Sequence, residues 1–194
     1  MQVTQIKATD LTPMPWKNGG GVTREVAVWP TGAGLEDFVW RISLAEVAQS
    51  GPFSRFEGID RVLVLVEGQG MELADAEGSP TLLQSPGDAL RFPGEASITS
   101  TLHHGTTHDF NLMWRRSLVK GDVTICESSQ LLDLLPGTHL LHAIHDSMDI
   151  HVPGHGAWLL AAGDSLLIET SQPQRGTLTK NDSGFLIHAH IRAS

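Results

Sequence analysis

The sequence has 194 residues, 40% hydrophobic and 18% charged, which is enough apolar material for a core and too little charge for a disordered chain. Its 13 Lys and Arg against 22 Asp and Glu leave a formal charge of -9, and such an acidic surface excludes general binding to nucleic acid or to an anionic membrane. Cys126 is the single cysteine, so neither an internal disulfide nor a cysteine zinc cluster can form. No apolar run approaches the roughly 18 residues that a membrane helix needs. The opening MQVTQIKATDLTPMPWKNGG has no apolar stretch after its basic residue, so the expectation is a cytoplasmic protein without a secretory signal.

In chain order, short alternating or apolar runs predict strands at Gln2–Ala8, Thr23–Trp29, Phe38–Leu44, Arg61–Glu67, Ala89–Phe92 and Ala96–Leu102. A second series follows at Asp109–Arg115, Val123–Cys126, His139–Ile144, Trp158–Leu160, Ser165–Ile168, Gly176–Thr179 and Phe185–Ile191. Gly- and Pro-rich turns separate them, and only Ser128–Leu135 reads as a helix, stopped by Pro136-Gly137. Many short strands at this spacing predict an all-β sandwich or barrel. An internal echo points to a duplication: Glu67-Gly68-Gln69-Gly70 and Gly87-Asp88 with the strand to Phe92, against Pro153-Gly154-His155-Gly156 and Gly163-Asp164 with the strand to Ile168. The expected halves are residues 1–115 and 116–194, and with no linker between them they are expected to pack as one unit.

Chemistry is densest between Pro15 and Arg61. In Trp16-Lys17-Asn18-Gly19-Gly20-Gly21, three glycines permit an anion-binding nest of N–H groups with Lys17 beside it; a tight turn with a solvated lysine is the alternative. In Phe38–Leu44 a period of two puts Trp40, Ile42 and Leu44 on one face and Arg41 and Ser43 on the other. An arginine turned into a barrel needs a carboxylate, from the protein or from a ligand, and Arg61 raises the same question. Asp60 sits on the opposite face from Arg61. Asp109 and Asn111 share a face of a later strand, as ligand contacts or as a polar edge.

These residues resemble the HutD/Ves family. The resemblance lies in Pro15-Trp16-Lys17-Asn18-Gly19-Gly20-Gly21 with Thr23 and Glu25, then Trp40–Ala45, Gly51-Pro52-Phe53-Ser54, Asp60-Arg61 and Asp109–Met113. One departure is Phe56-Glu57-Gly58, where the family usually has Phe-Pro-Gly. The resemblance implies a cupin-like (RmlC-like jelly-roll) β-barrel, here a duplicated bicupin, and a regulatory link to histidine utilisation with a formylglutamate-like ligand suggested.

The cupin pattern of three His and one Glu is expected to be lost here. Its spacing places Arg55, Glu57, Arg61 and Ile98 at the ligand positions, a set that cannot hold a divalent metal. Ten histidines recur in clusters, His103-His104 with His108, His139 with His142 and His145 at helical spacing, His151 with His155, and His188-Ala189-His190, without a full zinc or iron ligand spacing. No metal and no cofactor are expected.

The resulting expectation is a metal-free binder of a small anionic, carboxylate-bearing metabolite. Lys17, Arg41 and Arg61 would neutralise the ligand. Asn18, Thr23, Ser43, Asp60 and Asn111 would supply directed hydrogen bonds, and Trp16, Phe53 and Phe56 would form the walls. The alternative is a metal-independent hydrolase or isomerase acting on an acyl-amino acid, with Asp60 or Asp109 as base. A homodimer paired through a sheet edge suits this fold type.

Overall fold

A computed structural model describes residues 1–75, 78 and 80–194. Strands are numbered along the chain. The first is β1 (Gln2–Ile6). Next come β2 (Pro13–Pro15), β3 (Gly21–Trp29), β4 (Trp40–Val47), β5 (Gly51–Pro52), β6 (Ile59–Glu67), β7 (Met71–Ala74), β8 (Thr81–Leu83), β9 (Ala89–Pro93), β10 (Thr99–Leu102) and β11 (Thr107–Arg115). The chain closes with β12 (Val119–Cys126), β13 (Gln130–Leu134), β14 (Gly137–Ile144), β15 (Met148–Val152), β16 (Gly156–Leu160), β17 (Ser165–Thr170), β18 (Gln174–Lys180) and β19 (Phe185–Ala193). Among the described residues no helix is long and apolar enough to cross a membrane.

Two units result. One is Thr12–Val119 with Ser194; the other joins Met1–Leu11 to Lys120–Ala193. In the first, a six-stranded sheet of order β2-β3-β4-β11-β6-β9 faces a four-stranded sheet of order β5-β10-β7-β8. Its core sets Leu63, Leu65 and Phe92 of the larger sheet against Met71, Leu73 and Leu83 of the smaller, with Ile98. The second unit has a five-stranded sheet, β1-β17-β14-β19-β12, and a four-stranded one, β13-β18-β15-β16. Leu141, Leu166, Ile168 and Leu186 there pack on Leu134, Met148, Ile150 and Leu178. Each unit is a cupin-like barrel of two apolar-lined sheets, and the chain carries the fold twice.

The duplication is legible residue by residue. β11 lies between β4 and β6, and β19 between β12 and β14. Met113 pairs with Arg61 and Arg61 with Phe92; His190 pairs with His139 and His139 with Ile168. The Gly-Asp turns match in detail: Leu65 N donates to Asp88 O (2.9 Å) and Gly87 N to Leu65 O (2.8 Å), as Ala143 N donates to Asp164 O (3.1 Å) and Gly163 N to Ala143 O (2.8 Å). Gly87 (φ 98°) and Gly163 (φ 84°) both need the left-handed region, which explains glycine at this turn in each copy. The other half of the echo is not equivalent, because Gly68 and Gly70 lie between β6 and β7 whereas Gly154 lies between β15 and β16 and Gly156 opens β16.

Two further expectations are corrected. The helix at Ser128–Leu135 is strand β13: Leu132 and Leu134 enter the core while Leu131 and Asp133 face out, a period of two. His139 and His142 lie on strand β14, as predicted for His139–Ile144, despite their helical spacing. The chain also does not divide at 1–115 and 116–194, since β1 pairs with β17 along Gln2–Ile6 and so completes the sheet of the second unit.

Candidate functional site

The polar side chains gather on the inner face of the six-stranded sheet. Cross-strand register arranges them in three rows. The first runs Val28, Arg41, Met113, Arg61, Phe92; the second Glu25, Ser43, Asn111, Leu63; the third Thr23, Ala45, Asp109, Leu65. Trp40, Ile42, Phe110, Leu112, Val62 and Val64 occupy the opposite face and are buried as well. Arg41, Ser43, Arg61, Asp109 and Asn111 are therefore interior residues, none more than 7% exposed.

The two guanidiniums have different fates. Arg41 Nε donates to Glu25 Oε2 at 2.8 Å and its Nη1 to Ser43 Oγ at 3.3 Å, so the protein supplies its counter-charge. Arg61 donates through Nη2 to Asn111 Oδ1 (3.0 Å) and through Nη1 to the Ser54 carbonyl (3.4 Å), both uncharged acceptors. Its Nε has no partner among the described residues. The rings of Phe92, Phe53 and Phe56 surround it, with centroids 4.9, 5.5 and 5.8 Å from Cζ. Burial, and next the like charge of Arg41, lower Arg61 to about 10 against the attraction of Asp109, so it remains a cation at neutral pH.

Asp109 is the counterpart. It is 1% exposed, and neither carboxyl oxygen has a hydrogen-bond partner among the described residues. Burial raises it to about 7, and the attraction of Arg61 only partly opposes this. Desolvation thus outweighs attraction for both groups. The barrel interior holds a cation lacking a bonded carboxylate and a carboxyl lacking a donor, on adjacent strands.

The remaining sequence candidates lie elsewhere. Asp60 is on the other face of β6, where its Oδ1 accepts from Arg116 Nε at 2.9 Å, which leaves it committed to a structural pair. Lys17 and Asn18 are exposed on the β2–β3 turn. Gly19 N already donates to Trp16 O (3.0 Å) and Gly20 N to Asn18 Oδ1 (3.0 Å), so the glycines make a closed turn, not an open nest. Thr23 reaches the inner face and accepts from Trp16 Nε1 at 2.7 Å. Arg55 and Glu57, which the cupin spacing put at ligand positions, have side chains 59% and 84% exposed.

The HutD family model matches residues 8–186, nearly the whole chain. The chain belongs to the HutD family. An uncharacterised 21.2 kDa protein from the hutC 3' region of Pseudomonas putida is 33% identical over 168 residues, 87% of each chain. A conserved protein of unknown function from Pseudomonas aeruginosa PAO1 superposes with a TM-score of 0.89 at 33% identity, covering 98% of this chain and 99% of that one. HutD from Pseudomonas fluorescens SBW25, solved in a formate condition, gives 0.86 at 28% identity over all of both chains.

A cupin barrel implies a metal on this inner face, and the residues of this HutD protein do not fit one. Glu25 is held by Arg41, Asp109 lies near Arg61, and two guanidiniums repel a divalent cation. Among the described residues no group of three or more His, Cys, Asp or Glu is arranged to hold a metal ion.

The second barrel shows what the same face becomes without this chemistry. His139 and His188 take the register places of Arg61 and Asn111, and Leu186 that of Asp109. His139 Nε2 bonds the Leu135 carbonyl (2.7 Å), so its Nδ1 accepts from His188 Nε2 at 2.8 Å. Burial lowers the two imidazoles to about 4 and about 3, hence neutral at pH 7. Such a pair cannot balance an anion. Sequence reasoning missed Glu25 as the partner of Arg41 and Phe92 as a wall; the alternation of β3 and β9 carried the signal, but the pairing of strands was needed to use it.

Proposed function

We propose that this HutD protein binds a small carboxylate metabolite in its Thr12–Val119 barrel, without a metal, and acts as a regulatory binding protein in histidine utilisation or related amino-acid catabolism. The observation that carries the reading is Arg61: buried, cationic, walled by three phenylalanines, and bonded only to neutral acceptors. A ligand carboxylate would supply the missing counter-charge through a charge-assisted bond, worth about 1.5–3 kcal/mol. The relative from the hutC 3' region and the likeness to HutD favour the histidine-utilisation setting.

Calorimetric titration with formate, acetate and glutarate tests this. Wild type is expected to bind at least one of them, Arg61→Ala to lose roughly 10–100-fold in affinity, and Arg61→Lys to lose less. If no carboxylate binds, or if Arg61→Ala binds as wild type does, the proposal fails. One observation favours an enzyme as second reading: Asp109 is buried without a donor, and burial raises its carboxyl to about 7, the range in which a general base works. Turnover of N-formylglutamate by wild type and not by Asp109→Asn would establish it; unchanged substrate keeps the binder.

A further inference from the structure

Two unsatisfied groups share the interior of one barrel. Arg61 Nε is a buried donor with nothing to donate to, and Asp109 offers two buried oxygens with nothing to accept from. Asp109 Cα pairs with Leu65 and that of Asn111 with Leu63, on the face where the Arg61 guanidinium reaches Asn111. A carboxylate ligand satisfies Arg61 at once. It does not satisfy an ionised Asp109, because two carboxylates in a buried site repel each other unless one carries a proton.

We propose that Asp109 binds the ligand as a carboxylic acid, so that carboxylate capture by this barrel takes up one proton: Arg61 Nε–H donates to one ligand oxygen and the Asp109 O–H to the other. This rests on the reading of Arg61 as the carboxylate anchor and adds a specificity element to it. The proton comes from solvent, and no covalent bond forms or breaks. The ligand is held between a guanidinium donor and a carboxyl donor, an arrangement that an uncharged or cationic molecule of the same shape does not satisfy. Charged groups facing Asp109 are few. Arg61 of β6 lies nearest in effect; beyond it stand Arg41 of β4 and its partner Glu25 of β3, which neutralise each other. Asn111 and Thr23 on the same face do not titrate, and His108, the neighbour of Asp109 in the chain, lies 3.8 Å from Glu46 and 3.5 Å from Glu67. The copy in the second barrel, with Leu186 at the register place of Asp109, has no group for this role.

The experiment is calorimetric titration of the full chain with acetate and formate at pH 6 and pH 8, each in two buffers of different ionisation enthalpy. Wild type is expected to take up close to one proton per ligand at pH 8 and almost none at pH 6. Affinity should fall about tenfold per pH unit above 7. Asp109→Asn replaces the acid with an amide N–H donor, so it should bind at both pH values with no proton uptake and no pH dependence. Binding without proton uptake in wild type, or uptake that persists in Asp109→Asn, overturns the inference and leaves the carboxylate reading intact. No binding of acetate, formate or glutarate at either pH defeats both. Should Asp109→Asn fold poorly, the wild-type proton count at the two pH values decides alone.

Discussion

Burial of Asp109 without a donor makes a stability prediction that needs no ligand. A carboxyl held at about 7 instead of its ordinary 3.8 keeps its proton longer in the folded chain than in the unfolded one. The folded state therefore carries no penalty from it below 3.8, loses stability as pH rises through the interval, and levels off above about 7. The full difference corresponds to about 4 kcal/mol, of which about 2.5 kcal/mol develops between pH 5 and pH 8. Asp109→Asn keeps the size of the side chain and removes the titration. Any cost of seating the amide, about 1–3 kcal/mol where it lacks partners, is the same at every pH. The stability of Asp109→Asn relative to wild type should thus rise by about 2.5 kcal/mol from pH 5 to pH 8, whatever its offset. Urea unfolding in carboxylate-free buffers, followed by tryptophan fluorescence at four pH values, measures it. A difference constant within about 0.5 kcal/mol would show that Asp109 is ionised and satisfied in the folded protein, and the account of the site would be wrong.

Two other perturbations probe the scaffold. His142 is 1% exposed, bonds Ser165 Oγ through Nδ1 at 2.8 Å, and is lowered by burial to about 4; its contribution is complete above 6.5 and lost as pH falls toward 4, so urea unfolding should show about 2 kcal/mol more loss between pH 7 and pH 5 in wild type than in His142→Asn. In Gly21→Ala the new Cβ would overlap the Glu46 backbone carbonyl oxygen and stand 3.1 Å from the Trp16 ring, so the β3–β4 ladder must part and thermal melting should fall by several degrees; an unchanged melting temperature would refute the close packing of this turn.

Alternation made much of the barrel readable, and pairing made the rest. The face shared by Arg41 and Ser43, and that shared by Asp109 and Asn111, follow from a period of two alone. Their burial does not, because period cannot distinguish a solvated face from the inside of a sandwich. The strand at Gln130–Leu134 resembles a helix in sequence because its leucines cluster too densely to show whether they repeat at two or at 3.6. Of the smaller sheets, β10, β16 and β18 follow from the runs at Ala96–Leu102, Trp158–Leu160 and Gly176–Thr179, whereas β7, β8 and β15 are too short to stand out before they are paired. Asp60 shows the reverse error. Its neighbour Arg61 gave it functional colour, whereas Arg116, 56 residues away in sequence, decides its role through an ion pair.

The comparison between the two barrels explains why the unsatisfied pair has a functional reading. Both copies share the order of four strands in the larger sheet, the Gly-Asp turn and a polar contact at the same register, Arg61 with Asn111 in one and His139 with His188 in the other. In the second, neutral rings satisfy each other and a backbone carbonyl, and Leu186 fills the remaining place. That solution shows the fold can close this face without stranding a charge. The first copy instead keeps a buried cation with no bonded carboxylate and an unbonded Nε, beside a carboxyl with no donor, an arrangement costing several kcal/mol when nothing fills it. Since the scaffold itself permits the cheaper alternative, the unsatisfied pair is what the proposed carboxylate ligand would account for.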